Sequence, residues 1–330
     1  MIMQKIACVR ILPQAFNIML ELYDCSPYSL PTQKIWLKAA CGLSNANVKC
    51  LVWGDDALAF IHFVPTILFG LHLVVADADL EKASNEIIRS LPFKIYTGSD
   101  RRYVEFIYFD ASQPRTFPHS VHLEPTTPQD KRHMDDPEMI FIHPQSQLYL
   151  DVNDNSRSVS LPSFPDTIRF PTRTAFLDSL IETYLDPPVG RVHTQLRSML
   201  SVWISYFFVY ALRNRPTVLP SGDLEPEHVE VLQSLRPENW PYFEAFARDE
   251  SCDTRMHALR RKEILEKLGY SDWIFLFLPR RNCLTPLHLL GSLNNHDARF
   301  PYLPVEILHF GQSYFTSFAV VLDLLQGLQG

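Results

Sequence analysis

Apolar and polar positions along this chain follow two rhythms, and the change between them divides it. From residue 50 to residue 91, uncharged runs alternate with short acidic turns in the order strand, turn, helix, strand, turn, helix. Residues 50–53 (CLVW) predict a short apolar strand, and Gly54 permits a sharp turn out of it. Asp55 and Asp56 stand where the N-cap and first turn of a helix belong, ahead of a helix at 57–62. Residues 66–75 are β-branched and aromatic with no charge, as expected of a strand covered on both faces. Asp79 takes an N-cap position, and Leu80, Ala83, Ile87, Ile88 and Leu91 then recur at helical spacing. Residues 102–110 (RYVEFIYFD) predict a third strand.

Around this block the pattern is looser. Residues 14–23 and 32–41 read as two helical patches of an N-terminal extension covering residues 1–47. Residues 111–138 are polar and proline-rich, a long loop. Residues 139–143 and 147–151 suggest a hairpin, and 167–170 a further strand. From residue 171 the rhythm becomes helical, with helices expected at 174–185, 192–212, 227–235, 241–247 and 255–268. The second carries Leu196, Met199, Leu200, Trp203, Ile204, Phe207, Phe208 and Ala211 on one broad face, as the central helix of a small bundle would. The charges of the last (Arg260, Arg261, Lys262, Glu263, Glu266, Lys267) read as a solvated face. The expected organisation is α+β: a mixed α/β domain over 48–170, a helical domain over 171–270, and a C-terminal extension over 271–330.

Charge and composition narrow the partners. A net charge of -7 favours neither a phosphate backbone nor an anionic membrane, so the expected partner is a protein or a small molecule. The uncharged run 58–76 is long enough to span a bilayer. Pro65, Gly70, His62 and His72 interrupt it, and Asp55, Asp56, Asp77 and Asp79 flank it without a basic residue, so it reads as a buried helix, turn and strand. Arg10 and Pro13 break any export-signal core, and no two cysteines have the spacing of a metal or redox motif. These features lead us to expect reduced thiols and a cytoplasmic or nuclear location. Trp53, Trp203, Trp240 and Trp273 read as packing residues. His119 and His122 have metal-like spacing with His133 beyond them, yet no second ligand pair accompanies them.

The order running through VWGDDALAFIHFVPTILFGLHLVVADADLEKA, with YVEFIYFD and RFPTRTAFLDSLIETYL behind it, resembles the nucleotidyltransferase fold of the minimal, antitoxin-like and aminoglycoside-modifying type. It is also similar to a group of fungal proteins of unassigned function. The resemblance covers residues 48 to 270 and implies a small mixed sheet flanked by helices, followed by a helical bundle. Active relatives hold phosphates at a glycine-serine or double-glycine turn. They bind Mg²⁺ through two aspartates one residue apart on the second strand and a third carboxylate. Here the turn reads Gly54-Asp55-Asp56, which leaves it a weak nucleotide-binding candidate. The aspartate pair falls on Gly70 and His72, and only Glu105, or Asp110, remains as a third carboxylate. The implied site is degenerate, no cofactor is expected, and the role becomes binding or scaffolding. Two alternatives stay open. One is an active Mg²⁺-dependent nucleotidyltransferase using Glu105, Asp110 and Asp77. The other is a glycosyltransferase-like enzyme holding a metal on Asp77 and Asp79.

Overall fold

The computed structural model describes residues 9–12, 20–96, 117, 119–187, 194–213, 217–250 and 253–270. The expected strand at 102–110, with Glu105 and Asp110, and the extension from 271 lie outside the described residues.

The chain opens with an antiparallel ribbon of β1 (Val9–Leu12) and β2 (Leu20–Tyr23). Residues 20–23 are therefore strand and not the end of a helix. Their alternation of Leu20, Glu21, Leu22 and Tyr23 has the period of a strand, and the partner residues of β1 claim it. Helix α1 (Leu30–Trp36) starts where the Ser29 side chain accepts from the Thr32 N–H, with Pro31 in its first turn, and α2 (Lys38–Asn45) follows after Leu37.

Next come β3 (Cys50–Val52), α3 (Gly54–Phe60), β4 (Gly70–Val75), a 3₁₀ turn (Asp77–Asp79), α4 (Leu80–Ser90) and β5 (Phe93–Ile95). The second strand thus begins at Gly70, four residues later than its composition suggested. The loop expected at 111–138 contains a strand, β6 (Val121–Pro125). The expected hairpin at 139–151 does not form. Strand β7 (Met139–Pro144) pairs with β4 and β6, and residues 145–148 turn away as a 3₁₀ helix after Pro144. Pairing with distant strands outcompetes the local hairpin because it buries every β7 side chain. Strands β8 (Ser158–Ser160) and β9 (Ile168–Pro171) complete a seven-stranded mixed sheet of order β5-β6-β7-β4-β3-β9-β8.

Strand β4 is central, antiparallel to β3 and parallel to β7 from Gly70↔Met139 to Val75↔Pro144. All six of its residues are buried, and successive ones serve opposite layers. Leu71, Leu73 and Val75 join Leu43, Ala83 and Ile87 of α2 and α4 in one core. Val74 joins the other core, with Trp53, Phe176, Leu180 and Trp203. Gly70 and His72 alternate with the first set and share the face of Val74.

That second core is built by α5 (Arg173–Leu185), α6 (Thr194–Tyr206, continued by a π-helical turn at Phe207–Ala211), α7 (Pro226–Ser234), α8 (Trp240–Ala247) and α9 (Thr254–Lys267). The chain is an α+β protein. Its later helices do not pack only on one another: they share a hydrophobic cluster with Leu51 and Val74 of the sheet. Among the described residues no helix is long and apolar enough to cross a membrane, and run 58–76 is divided between α3 and β4. Two expectations about side chains change. Trp240 is 38% exposed, and Arg261 of the supposedly solvated face is buried.

Candidate functional site

The site sits where β3 turns into α3, beside the start of β4. Gly54 has φ +66°, a backbone state that costs glycine little. A Cβ there would lie 3.1 Å from the Trp203 ring and 3.3 Å from that of His72, so the turn is packed from both sides. The N-cap is Trp53, and its side chain makes no capping bond. The helix starts three residues earlier than expected, so Asp55 and Asp56 both lie in its first turn and neither is its N-cap, and their carboxylates are held by protein donors. Asp55 Oδ1 accepts from Trp203 Nε1 at 2.7 Å and from Thr66 Oγ1 at 3.3 Å. Asp56 accepts from Trp36 Nε1 and, through Oδ2, from the His72 backbone N–H at 2.7 Å. Burial pushes the Asp55 carboxyl up to about 7 and holds that of Asp56 well above the ordinary carboxylate range. Adjacent residues thus brace α1, α6 and β4 against a single turn. Trp36 escaped the sequence reading. Its helical position marks a buried face, but nothing in the local pattern names a carboxylate 20 residues later.

On β4, His72 is 7% exposed, and its ring lies over Phe141 and nearly coplanar with that of His143, to which it is bonded edge to edge. Phe141 lies 4.7 Å away at an interplanar angle of 16°, and His143 lies 5.2 Å away at 6°. Trp53 meets both imidazoles edge-on, at 6.1 and 5.8 Å. Burial pushes the His72 imidazolium down to about 3 and that of His143 well below the usual histidine range, so both rings are neutral at pH 7. A neutral imidazole has one donor and one acceptor, so the tautomers set the direction of the chain of contacts. Gln147 Nε2 donates to Ser120 Oγ (3.2 Å), Ser120 Oγ pairs with His143 Nδ1 (2.7 Å), and His143 Nε2 pairs with His72 Nδ1 (3.0 Å). His72 is a core histidine whose ring is satisfied by its bond to His143. It ends a four-member chain whose other members the sequence did not reveal.

Gly70, the other strand position, has no room for a side chain. A Cβ would fall 2.4 Å from Phe141 Cε2, closer than any real Cβ contact. Phe141 reaches this spot because its register partners on the flanking strands are His72 and His122, all on one face. The residues of β4 therefore do not fit Mg²⁺. Gly70 offers no ligand, and His72 offers a ring nitrogen already bonded to His143, where the ion takes oxygen. Both edges of β4 are occupied, by β3 and β7, and β7 (MIFIHP) carries no carboxylate.

The remaining candidates are scattered. Asp77 Oδ1 accepts from the Ser146 N–H at 3.1 Å, and Asp79 sits at the α4 boundary in helical conformation without a side-chain capping bond. The cap expected of Asp79 is absent because the 3₁₀ turn has already wound the chain. Of the histidines, His122 is buried edge-on to Phe141 (5.0 Å), whereas exposed His133 accepts from the Asp135 N–H. Among the described residues no three His, Cys, Asp or Glu side chains are grouped to hold a metal ion.

A second polar cluster lies on α5, where Asp178 and Glu182 are 1% exposed each. Asp178 accepts from Arg157 and from Asn239 Nδ2 (2.7 Å). Glu182 accepts from Arg236 (2.8 Å) and faces Arg261 (3.5 Å). Burial raises the Glu182 carboxyl, and the two guanidinium groups oppose that shift. Four of its residues are separated in sequence by 20 or more positions, which hid the cluster.

No protein-family model matches the chain, and no curated protein matches it. Among solved structures it is similar to a provisionally assigned nucleotidyltransferase from H. pylori, with 12% identity and TM-score 0.31 over 74% of this chain and 97% of that one. It is also similar to JHP933 from Helicobacter pylori, with 12% identity and TM-score 0.30 over 75% of this chain and 99% of the other. Likeness at that level carries no argument about fold or activity.

Proposed function

We propose that this chain is a nucleotidyltransferase-like protein that performs no transfer and acts by binding a protein or small-molecule partner. One observation carries the reading: the strand positions that would hold a catalytic cation are a glycine whose Cβ space is filled by Phe141 and a buried histidine stacked on Phe141 and bonded to His143. Phosphoryl-type transfer depends almost wholly on positioning and charge neutralisation. Neutral rings neither hold a cation nor supply the positive charge that would neutralise a phosphoryl group. The acidic turn supports the same reading, since Asp55 and Asp56 spend their acceptors on indoles, a hydroxyl and a backbone amide. The glycosyltransferase alternative draws less support, because Asp77 is tied to Ser146 and no third acidic group stands with it and Asp79 among the described residues.

The test is thermal unfolding of the full chain with nucleoside triphosphates and nucleotide sugars, with and without Mg²⁺ or Mn²⁺, run beside a radiolabel transfer assay. A nucleotide present at about 100 times its Kd would add ~2.7 kcal/mol, several degrees of Tm. The proposal expects no metal-dependent shift and no label transfer. A Mg²⁺-dependent shift of that size, with label incorporated into any acceptor, refutes it.

A further inference from the structure

On the opposite layer of the sheet, the passage from α1 to α2, the end of α4 and the turn at 163–165 enclose an open cavity of about 490 Å³. That volume lies within the range of about 300–1,000 Å³ common to small-molecule sites. Leu91 and Phe164 give it apolar walls, and Cys41 and Ser163 also line it. At its base α2 and α4 nearly touch, since a Cβ on Gly42 would lie 3.3 Å from Ser90 Oγ. Lys34, in the last turn of α1, and Lys38, the first residue of α2, stand at its edge.

Charge gives the cavity its character. The chain carries -7, yet no acidic residue lines this space and two lysines do. Lys38 Nζ reaches Asp136 at 3.1 Å, but the lysine side chain is 49% exposed, and such a pair is easily exchanged. Lys34 makes no ion pair among the described residues. Two cationic side chains thus stand over an apolar wall that carries no carboxylate.

We infer that this cavity binds a small organic anion: a carboxylate, sulfonate or phosphate carried on an apolar body. The apolar part covers Leu91 and Phe164, and the charge lies between Lys34 and Lys38. The site shares no residue with the β4 face, and its test uses no nucleotide, so either reading can fail without the other.

The probe is 8-anilinonaphthalene-1-sulfonate, titrated by fluorescence into the full chain beside its uncharged parent, N-phenyl-1-naphthylamine. One saturable sulfonate site is expected. The double variant Lys34→Gln, Lys38→Gln should bind it roughly fivefold more weakly, from two exposed pairings of about 0.5 kcal/mol each. The uncharged parent should be indifferent to the same change. The sulfonate should also slow alkylation of Cys41 by iodoacetamide and leave exposed Cys25 unaffected, which places the probe. Both lysines are exposed, so the variant keeps the fold. An unchanged Kd in the double variant, equal affinity for the uncharged parent, or unprotected Cys41 each overturns the inference.

Discussion

Replacing Gly70 with alanine tests the reading of the β4 face at its tightest point. The added carbon would stand 2.4 Å from Phe141 Cε2, whereas ordinary contact begins at 3.4 Å, so the ring must withdraw by about 1 Å (3.4 minus 2.4). It cannot swing aside cheaply, because His72 is stacked on it at 4.7 Å and His122 meets it edge-on at 5.0 Å. Overpacking of this kind costs about 1–3 kcal/mol. The lost freedom of the unfolded chain returns ~0.4–1 kcal/mol, leaving a net loss of about 1–2 kcal/mol. In guanidinium unfolding followed by tryptophan fluorescence, that loss appears as a lower midpoint at unchanged slope. In a thermal scan it is roughly 1.5–3 °C for a chain of this length. Phe141→Leu should relieve part of the clash, so the double variant should be more stable than the two single losses predict by at least ~0.5 kcal/mol. Gly70→Asp should cost more than alanine because it also buries a charge. A Gly70→Ala protein within ~0.3 kcal/mol of the parent, or strict additivity with Phe141→Leu, would refute the claim that this ring fills the Cβ space of Gly70.

Other expectations rest on the buried polar groups. Asp178→Ala strips the partner from Arg157 and Asn239 and should cost about 3–5 kcal/mol in urea unfolding. Arg173→Ala, whose contact with Glu227 is 3.9 Å and half exposed, should stay within ~0.5 kcal/mol, and equal losses would contradict the argument. The folded pKa of His72, about 3, lies below its unfolded value, so its contribution is full above pH 6.5 and is lost as pH falls toward 3. His72→Gln should therefore flatten the stability–pH curve between pH 6 and 4 by up to about 1.4 kcal/mol per pH unit, and an unchanged slope would count against a neutral buried ring. Asp55 runs the other way. Its folded pKa, about 7, is raised, so its contribution is full below the ordinary carboxylate value and is lost as pH rises through 7. Asp55→Asn should gain stability relative to the parent between pH 4 and pH 8, as measured by chemical denaturation; a constant difference would show that the carboxyl is not perturbed.

Sequence alone determined the elements whose signal is local. The apolar run of β3, the glycine turn, the helical spacing of α4 and the broad face of α6 are each written in consecutive residues, and each appears where its period placed it. It also placed Gly70 and His72 on one face of β4, because alternation along one strand is a matter of counting. Only the tertiary structure decided what surrounds them. Phe141 reaches Gly70 across a parallel pairing 69 residues away in sequence (139 minus 70). Trp36 and Trp203 come to adjacent aspartates from opposite layers. Strand β7 abandons its neighbouring residues for β4, and Arg261 leaves its charged helix face for Glu182. The physical reason is common to all four. A residue's type and period report its own preference for burial or solvent, but a buried hydrogen bond or ring contact is a relation between distant segments, and its energy is written in neither segment alone.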